Sequence, residues 1–265
     1  MNASQAARLS QLDAAADEAQ PTQALADELF AVAALLEAQP TLRNALSDPT
    51  AADAARGQLA ESVFGGRVSA AALQVVAAAT ALRWGSGLDF AAGIERQGLR
   101  ALIGAAQAAG KLDQVEDELF RFERVVAGDP SLQAALNDRA AGVERRRQVV
   151  ADLLDKKADP VTVTLAARAV AGRHRTFALA VNEMLALAAA ARNRAVARVT
   201  VAKPLTAEQA KRLAKSLSAQ VGREVNLEVA VDPAVLGGVL VRVGDEIIDG
   251  TVAGRLASAK KQLEK

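Results

Sequence analysis

The chain has 265 residues, 51% of them hydrophobic, with 32 Lys/Arg against 31 Asp/Glu; this near-neutral balance argues against a general nucleic-acid binder. It contains no cysteine and a single histidine, His174, which excludes disulfides, thiolate metal centres and multi-histidine metal sites. No apolar run reaches the ~18 residues of a membrane span, and the opening stretch lacks the basic start and apolar core of a secretory signal, so the expectation is a cytoplasmic chain without membrane insertion.

Aromatic residues make up 3% of the chain, so the apolar content is mostly alanine, leucine and valine. Alanine is the strongest helix former, and a mainly helical chain is expected. A repeat runs through its first two thirds at an interval of 90 residues: Leu29-Phe30 recurs as Leu119-Phe120, Pro40-Thr41-Leu42 as Pro130-Ser131-Leu132, Ala45-Leu46 as Ala135-Leu136, and Asp48 as Asp138. The register holds without a gap from about 29–86 against 119–176. Each copy has one grammar, clearer in the second. Leu112, Val115, Leu119, Phe122 and Val126 recur at helical spacing, and Gly128 and Pro130 end that helix. A short helix follows through Leu132 and Leu136, then a turn at Asn137 or Asp138. A further helix turns Val149, Val150, Leu153 and Leu154 inward, and Pro160 opens another. Longer helices close the units, over about 87–109 and 175–195; the alanines of the second permit close helix packing.

After residue 195 the period changes from helix to strand. Val199 and Val201 alternate with Arg198 and Thr200. Thr206 and Gln209 form a capping box, with Ala210, Leu213, Leu217 and Val221 on one stripe of the following helix. A second strand alternates Val225, Leu227, Val229 and Val231, and Asp232-Pro233 turns the chain. Val239, Val241 and Val243 share a face of the third strand. Gly244-Asp245 predicts a two-residue hairpin to a fourth strand at Glu246-Ile247-Ile248. A last helix with Val252, Leu256, Ala259 and Leu263 on its buried side completes a β-α-β-β-α layer. The predicted fold is therefore mainly α, with a duplicated helical bundle followed by a small α/β domain. The divisions are 1–110, 111–195 and 196–265. From Arg192 onward there are 13 Lys/Arg against 8 Asp/Glu, leaving 19 against 23 upstream, an asymmetry that suits two domains with different partners.

Little in the chain has the makings of a catalytic site. His174 lies between arginines with no nucleophile or carboxylate at a useful spacing and reads as a surface or turn residue. Arg145-Arg146-Arg147 lacks interleaved aromatics, is flanked by Glu144 and Asp152, and reads as a solvated helix face. Gly237-Gly238 and Gly244 do not form a phosphate-binding loop. Trp84 reads as a helix-end anchor in the core or at the bundle edge, with partner contact as its functional reading.

One segment is more specific. Asp232, Leu236-Gly237-Gly238, Val239/Val241/Val243, Gly244, Ile248-Asp249-Gly250 and Arg255-Leu256 stand in order within VDPAVLGGVLVRVGDEIIDGTVAGRL. This motif resembles the C-terminal hallmark of the delta subunits of F-type ATP synthases, the family of the mitochondrial oligomycin-sensitivity-conferring protein. ELFRF at 118–122 and the D-P-x-L-x-x-x-L turn from Asp129 to Leu136 also resemble the family's helical bundle. The resemblance implies a non-catalytic stator subunit without cofactor or metal, one copy per complex, at the cytoplasmic face of the cell membrane. It further implies that the bundle grips the N-terminal helices of the alpha subunits and that the C-terminal domain holds the C-terminal helices of the b subunits. The motif residues are fold makers first and stalk contacts by position. In the bundle, Leu119, Phe120, Leu132, Leu136 and Trp84 are the candidates for partner-helix contact. Ordinary members carry one bundle, and the duplication is a departure; the second copy, contiguous with the C-terminal domain, is the expected equivalent. A generic helical adaptor sharing only the fold is the second reading.

Overall fold

The computed structural model describes residues 3–171, 176–192, 195–221, 225–232, 238–243 and 246–249. The chain divides into two compact units, Met1–Ala191 and Arg192–Lys265. The first is helical and the second is a small α/β unit, so the fold is mainly helical with an α/β end.

The helical unit opens with α1 (Ala3–Ala16), α2 (Gln23–Ala38), α3 (Pro40–Ser47), α4 (Asp53–Phe64), α5 (Ala70–Ala81) and α6 (Gly87–Ala108). It continues with α7 (Leu112–Gly128), α8 (Pro130–Asn137), α9 (Val143–Leu154), α10 (Pro160–Ala171) and α11 (Phe177–Arg192). The starts of α3, α4, α5 and α6 return 90 residues later as those of α8, α9, α10 and α11. Local chemistry accounts for many of these ends. The Thr22, Ser69 and Ser86 hydroxyls cap α2, α5 and α6, and proline opens α3, α8 and α10, where its missing N–H costs nothing.

Contacts recur at the same interval. Glu28 accepts hydrogen bonds from the Ser69 N–H at 3.1 Å and the Ser69 hydroxyl at 2.5 Å. Ninety residues on, Glu118 accepts from the Asp159 N–H at 2.8 Å and the Thr162 hydroxyl at 2.6 Å. Asp48 and Asp138 each accept from the N–H two residues ahead. One continuous apolar core runs from Leu12 to Ala188. Its margin carries a charged cluster in which Arg96 and Arg100 of α6 pair with Asp13 and Asp17 at the end of α1.

The α/β unit contains β1 (Ala195–Val201), α12 (Ala207–Val221), β2 (Val225–Val231), β3 (Val239–Val243) and β4 (Glu246–Asp249). The strand order is β2-β1-β3-β4. The parallel pairing of β1 with β2 requires a crossover, which α12 supplies. β1 pairs antiparallel with β3, and β3 with β4. Ala197, Val199, Val201, Val225 and Val241 bury together with Leu217 of α12. The capping box forms: the Gln209 N–H donates to the Thr206 hydroxyl, and the Thr206 N–H to the Gln209 side-chain oxygen.

Three expectations need correction. α11 ends at Arg192 and the strand begins at Ala195, where the sequence period placed helix. Leu153 is exposed, because Val150 and Leu154 already fill the buried stripe of α9. Val231 is also exposed, as the last residue of β2. His174, the final helix, and the motif residues Leu236, Gly237, Gly244, Gly250, Arg255 and Leu256 lie outside the described residues.

Candidate partner-binding surface

The second half of the helical unit exposes Phe120, whose counterpart in the first half, Phe30, is buried. In α7 the buried residues are Leu112, Val115, Leu119, Phe122 and Val126. Their spacing makes one narrow stripe. Phe120 and Val125 fall on opposite flanks of that stripe at ~100° per residue, and they are 50% and 60% exposed. Leu179, on the outer side of α11, is 52% exposed.

In the equivalent helix of the first half the matching pair is covered. Leu29 and Phe30 are both buried, because α2 packs intimately on α6. Gly98 makes the approach possible: a Cβ there would lie 2.6 Å from the Phe30 ring. Ninety residues on, the corresponding position is Ala188, and the backbones of α7 and α11 make no comparably close approach. The Arg168 guanidinium covers Phe30, 3.9 Å from its ring centroid, a cation–π contact.

The remaining bundle candidates divide by burial. Leu119 and Leu136 are core residues and Leu132 is half-buried. Trp84 is buried, donates its indole N–H to the Ala79 carbonyl at 2.8 Å and meets Phe90 edge-on. Of the arginine run, Arg147 pairs with Glu144, but Arg146 reaches across to the Val170 carbonyl at 2.6 Å; it joins α9 to the end of α10 and is more than a solvated face.

Sequence reading missed Glu118 and Asp159. Burial raises the Glu118 carboxyl, but the Thr162 hydroxyl, the Gln114 amide and the Asp159 N–H outweigh it, so its pKa lies below the ordinary glutamate value. Asp159 is likewise lowered on balance: burial raises it, and its hydrogen bond from Lys111 and the cap to Val161 overcome this. The recurrence of Glu28 as Glu118 was the signal that marked the position.

In the α/β unit the described motif residues form strand junctions. Asp232 is exposed and its N–H donates to the Val201 carbonyl at 2.9 Å, prolonging the β1–β2 pairing. Gly238 has φ +86° immediately before β3, a conformation that favours glycine. Val239 pairs with Val201, Ile248 with Val241, and Asp249 with Leu240. Among the described residues there is no cluster of three or more His, Asp or Glu suited to a metal, and no helix long and apolar enough to cross a membrane.

The family model described as ATP synthase delta (OSCP) subunit matches residues 97–263. A relative from Salinispora arenicola, named ATP synthase subunit delta, is 47% identical over 257 residues, spanning 96% of this chain and 94% of its own. Relatives of the same name from Nocardia farcinica and a Parafrankia species are 41% and 43% identical, covering 89% and 91% of this chain and 88% and 87% of theirs. Among solved structures, a chain described under the Toxoplasma gondii mitochondrial ATP synthase hexamer aligns at 22% identity. It covers 63% of this chain and 95% of its own, with a TM-score of 0.27, too low to speak for a shared arrangement.

Proposed function

The chain belongs to the ATP synthase delta (OSCP) subunit family, and on that premise we propose that it is the non-catalytic stator joint of an F-type ATP synthase. It links the catalytic alpha/beta head to the peripheral stalk formed by the b subunits, so that the head resists rotor torque during proton-driven synthesis. The observation that carries this reading is the match, along nearly the full length of both chains, to relatives named ATP synthase subunit delta. One copy serves each complex, peripheral to the membrane on its cytoplasmic face.

The second helical half is the head-binding part and the α/β unit the stalk-binding part. The family match to 97–263 supports this division, as does the exposure of Phe120, Val125 and Leu179. Flanking apolar side chains of this kind suit docking of an amphipathic helix. Several modest contacts to head and stalk together hold the joint through effective concentration.

The test is capture by the purified full chain of two peptide probes, one from the N-terminal helix of the alpha subunits and one from the C-terminal helix of the b subunits. Binding of both is expected, with Phe120→Ala weakening the first at least about tenfold, as for a truncated interface anchor, and sparing the second. Failure to bind either probe would return the chain to a helical adaptor of another complex.

A further inference from the structure

Helix α6 is buried on opposite sides. At ~100° per residue, Phe90, Ile94, Gln97 and Ala101 share one face, and Leu99, Ile103 and Ala106 share the face turned about 180° away. All seven are buried. A helix packed on a single core shows one apolar stripe, as α7 does, so α6 serves two sets of neighbours. It packs on α1, α2, α3 and α5 from the first half and on α7 and α10 from the second.

The internal repeat accounts for the second face. Leu9, Leu12, Ala15, Ala16 and Ala19 recur at the same 90-residue interval as Leu99, Leu102, Ala105, Ala106 and Ala109. Helix α1 therefore has no separate counterpart in the second half; its counterpart is the C-terminal part of α6. The start of α6 at Gly87 corresponds in turn to the start of α11 at Phe177. We propose that α6 is used twice, as the sixth helix of a bundle α1–α6 and as the first helix of a bundle α6–α11.

Packing follows the same correspondence. In the first bundle α5 packs on α1 and α2, and in the second α10 packs on α6 and α7. The family match begins at residue 97, inside α6 and not at its end. Arg168 ties the junction from a third direction: it extends from α10 over Phe30 of α2 and lies 3.9 Å from the Glu95 carboxylate of α6. The two helical copies thus overlap instead of abutting near residue 110, and no linker separates them. A joint built this way has no hinge between its bundles, because the connecting element is a core helix of both. This holds whatever the chain binds.

Residue-resolved hydrogen exchange on the full-length chain tests the proposal, comparing Ile94→Ala and Leu99→Ala, which thin opposite faces of α6. Leu99→Ala is expected to lower protection of α7 and α10 amides at least about tenfold, as cavity formation in their own core would. Ile94→Ala is expected to lower α2 and α5 by a similar factor and α7 and α10 by less. A Leu99→Ala loss confined to α1–α5, with α7 and α10 unchanged, overturns the proposal. If Leu99→Ala does not fold, Leu99→Val makes a smaller cavity at the same place, and its losses must again fall in α7 and α10.

Discussion

Phe30 and Phe120 occupy the same place in two copies of one helical pattern, and they meet opposite fates. Phe30 is buried against Gly98 and beneath Arg168, while Phe120 is half exposed. The helices that carry them are followed by the same proline turn and carry the same acceptor glutamate. Two features of its surroundings mark Phe30: Gly98 on the facing helix, where the repeat has Ala188, and the Arg168 guanidinium laid over its ring. The first copy covers its phenylalanine, and the second leaves its own half exposed.

The largest expected effect lies in the phenylalanines themselves. Phe30→Ala should cost about 3–5 kcal/mol, the usual range for emptying a buried aromatic site. Phe120→Ala should stay within about 0.5 kcal/mol, as for an exposed position. Urea unfolding of the full chain measures both, and equal losses would break the comparison.

Gly98→Ala tests the glycine. Its Cβ would sit 2.6 Å from the Phe30 ring, a rigid neighbour. Overpacking should cost about 1–3 kcal/mol, exceeding the gain of up to about 1 kcal/mol from better helix propensity. An unchanged or raised melting temperature would show that α2 and α6 separate without penalty.

The glutamates sharpen the comparison through pH. Glu118→Ala strips the buried Thr162 hydroxyl and the Asp159 N–H of their acceptor and should cost about 1–3 kcal/mol. Glu28→Ala, whose hydrogen bonds are exposed, should cost less. Because the Glu118 pKa is lowered, its stabilisation is present above the ordinary glutamate range and is lost as pH falls through the lowered value. Glu95 has the opposite sign: burial, and then the Glu37 charge, raise its pKa above 4.5. Its contribution is therefore present below that range and lost as pH rises through the raised value. Urea midpoints across acidic pH should show Glu118→Gln flattening the acid-side loss and Glu95→Gln flattening the loss on the other side. The same slope change from both variants would refute the assignment.

The smallest effect concerns caps. The Asp129 carboxylate accepts from the Ser131 and Leu132 N–H groups at the start of α8, whereas Gln39 makes no side-chain cap at the start of α3. Asp129→Ala should cost about 1 kcal/mol, and Gln39→Asp should recover up to a similar amount in the first half. Thermal unfolding of each variant reads the difference.

Most of the fold was legible from local signals. The prolines at 40, 130 and 160, the Thr206–Gln209 box and the valine alternation of the strands act within a few residues of themselves, so sequence spacing reports them directly. The candidate surface was less legible. Leu119, Leu136 and Trp84 carry the apolar character of contact residues but lie in the core, and Phe120 beside Leu119 lies outside it. Residues one apart on a helix point about 100° from each other, and only the neighbouring helices decide which of the two is covered.

By itself the sequence determined the helix grammar, its 90-residue repeat, the change to strand period after the bundle, and the ordered motif that led to the family. These depend on local geometry and side-chain type, which the chain carries wherever it folds. Tertiary structure alone decided which phenylalanine of the repeated pair is covered, which glutamate is held by buried donors, and that α6 has a second buried face. Each depends on what approaches from a distant part of the chain, and in a close-packed interior such contacts decide whether a side chain is core or surface.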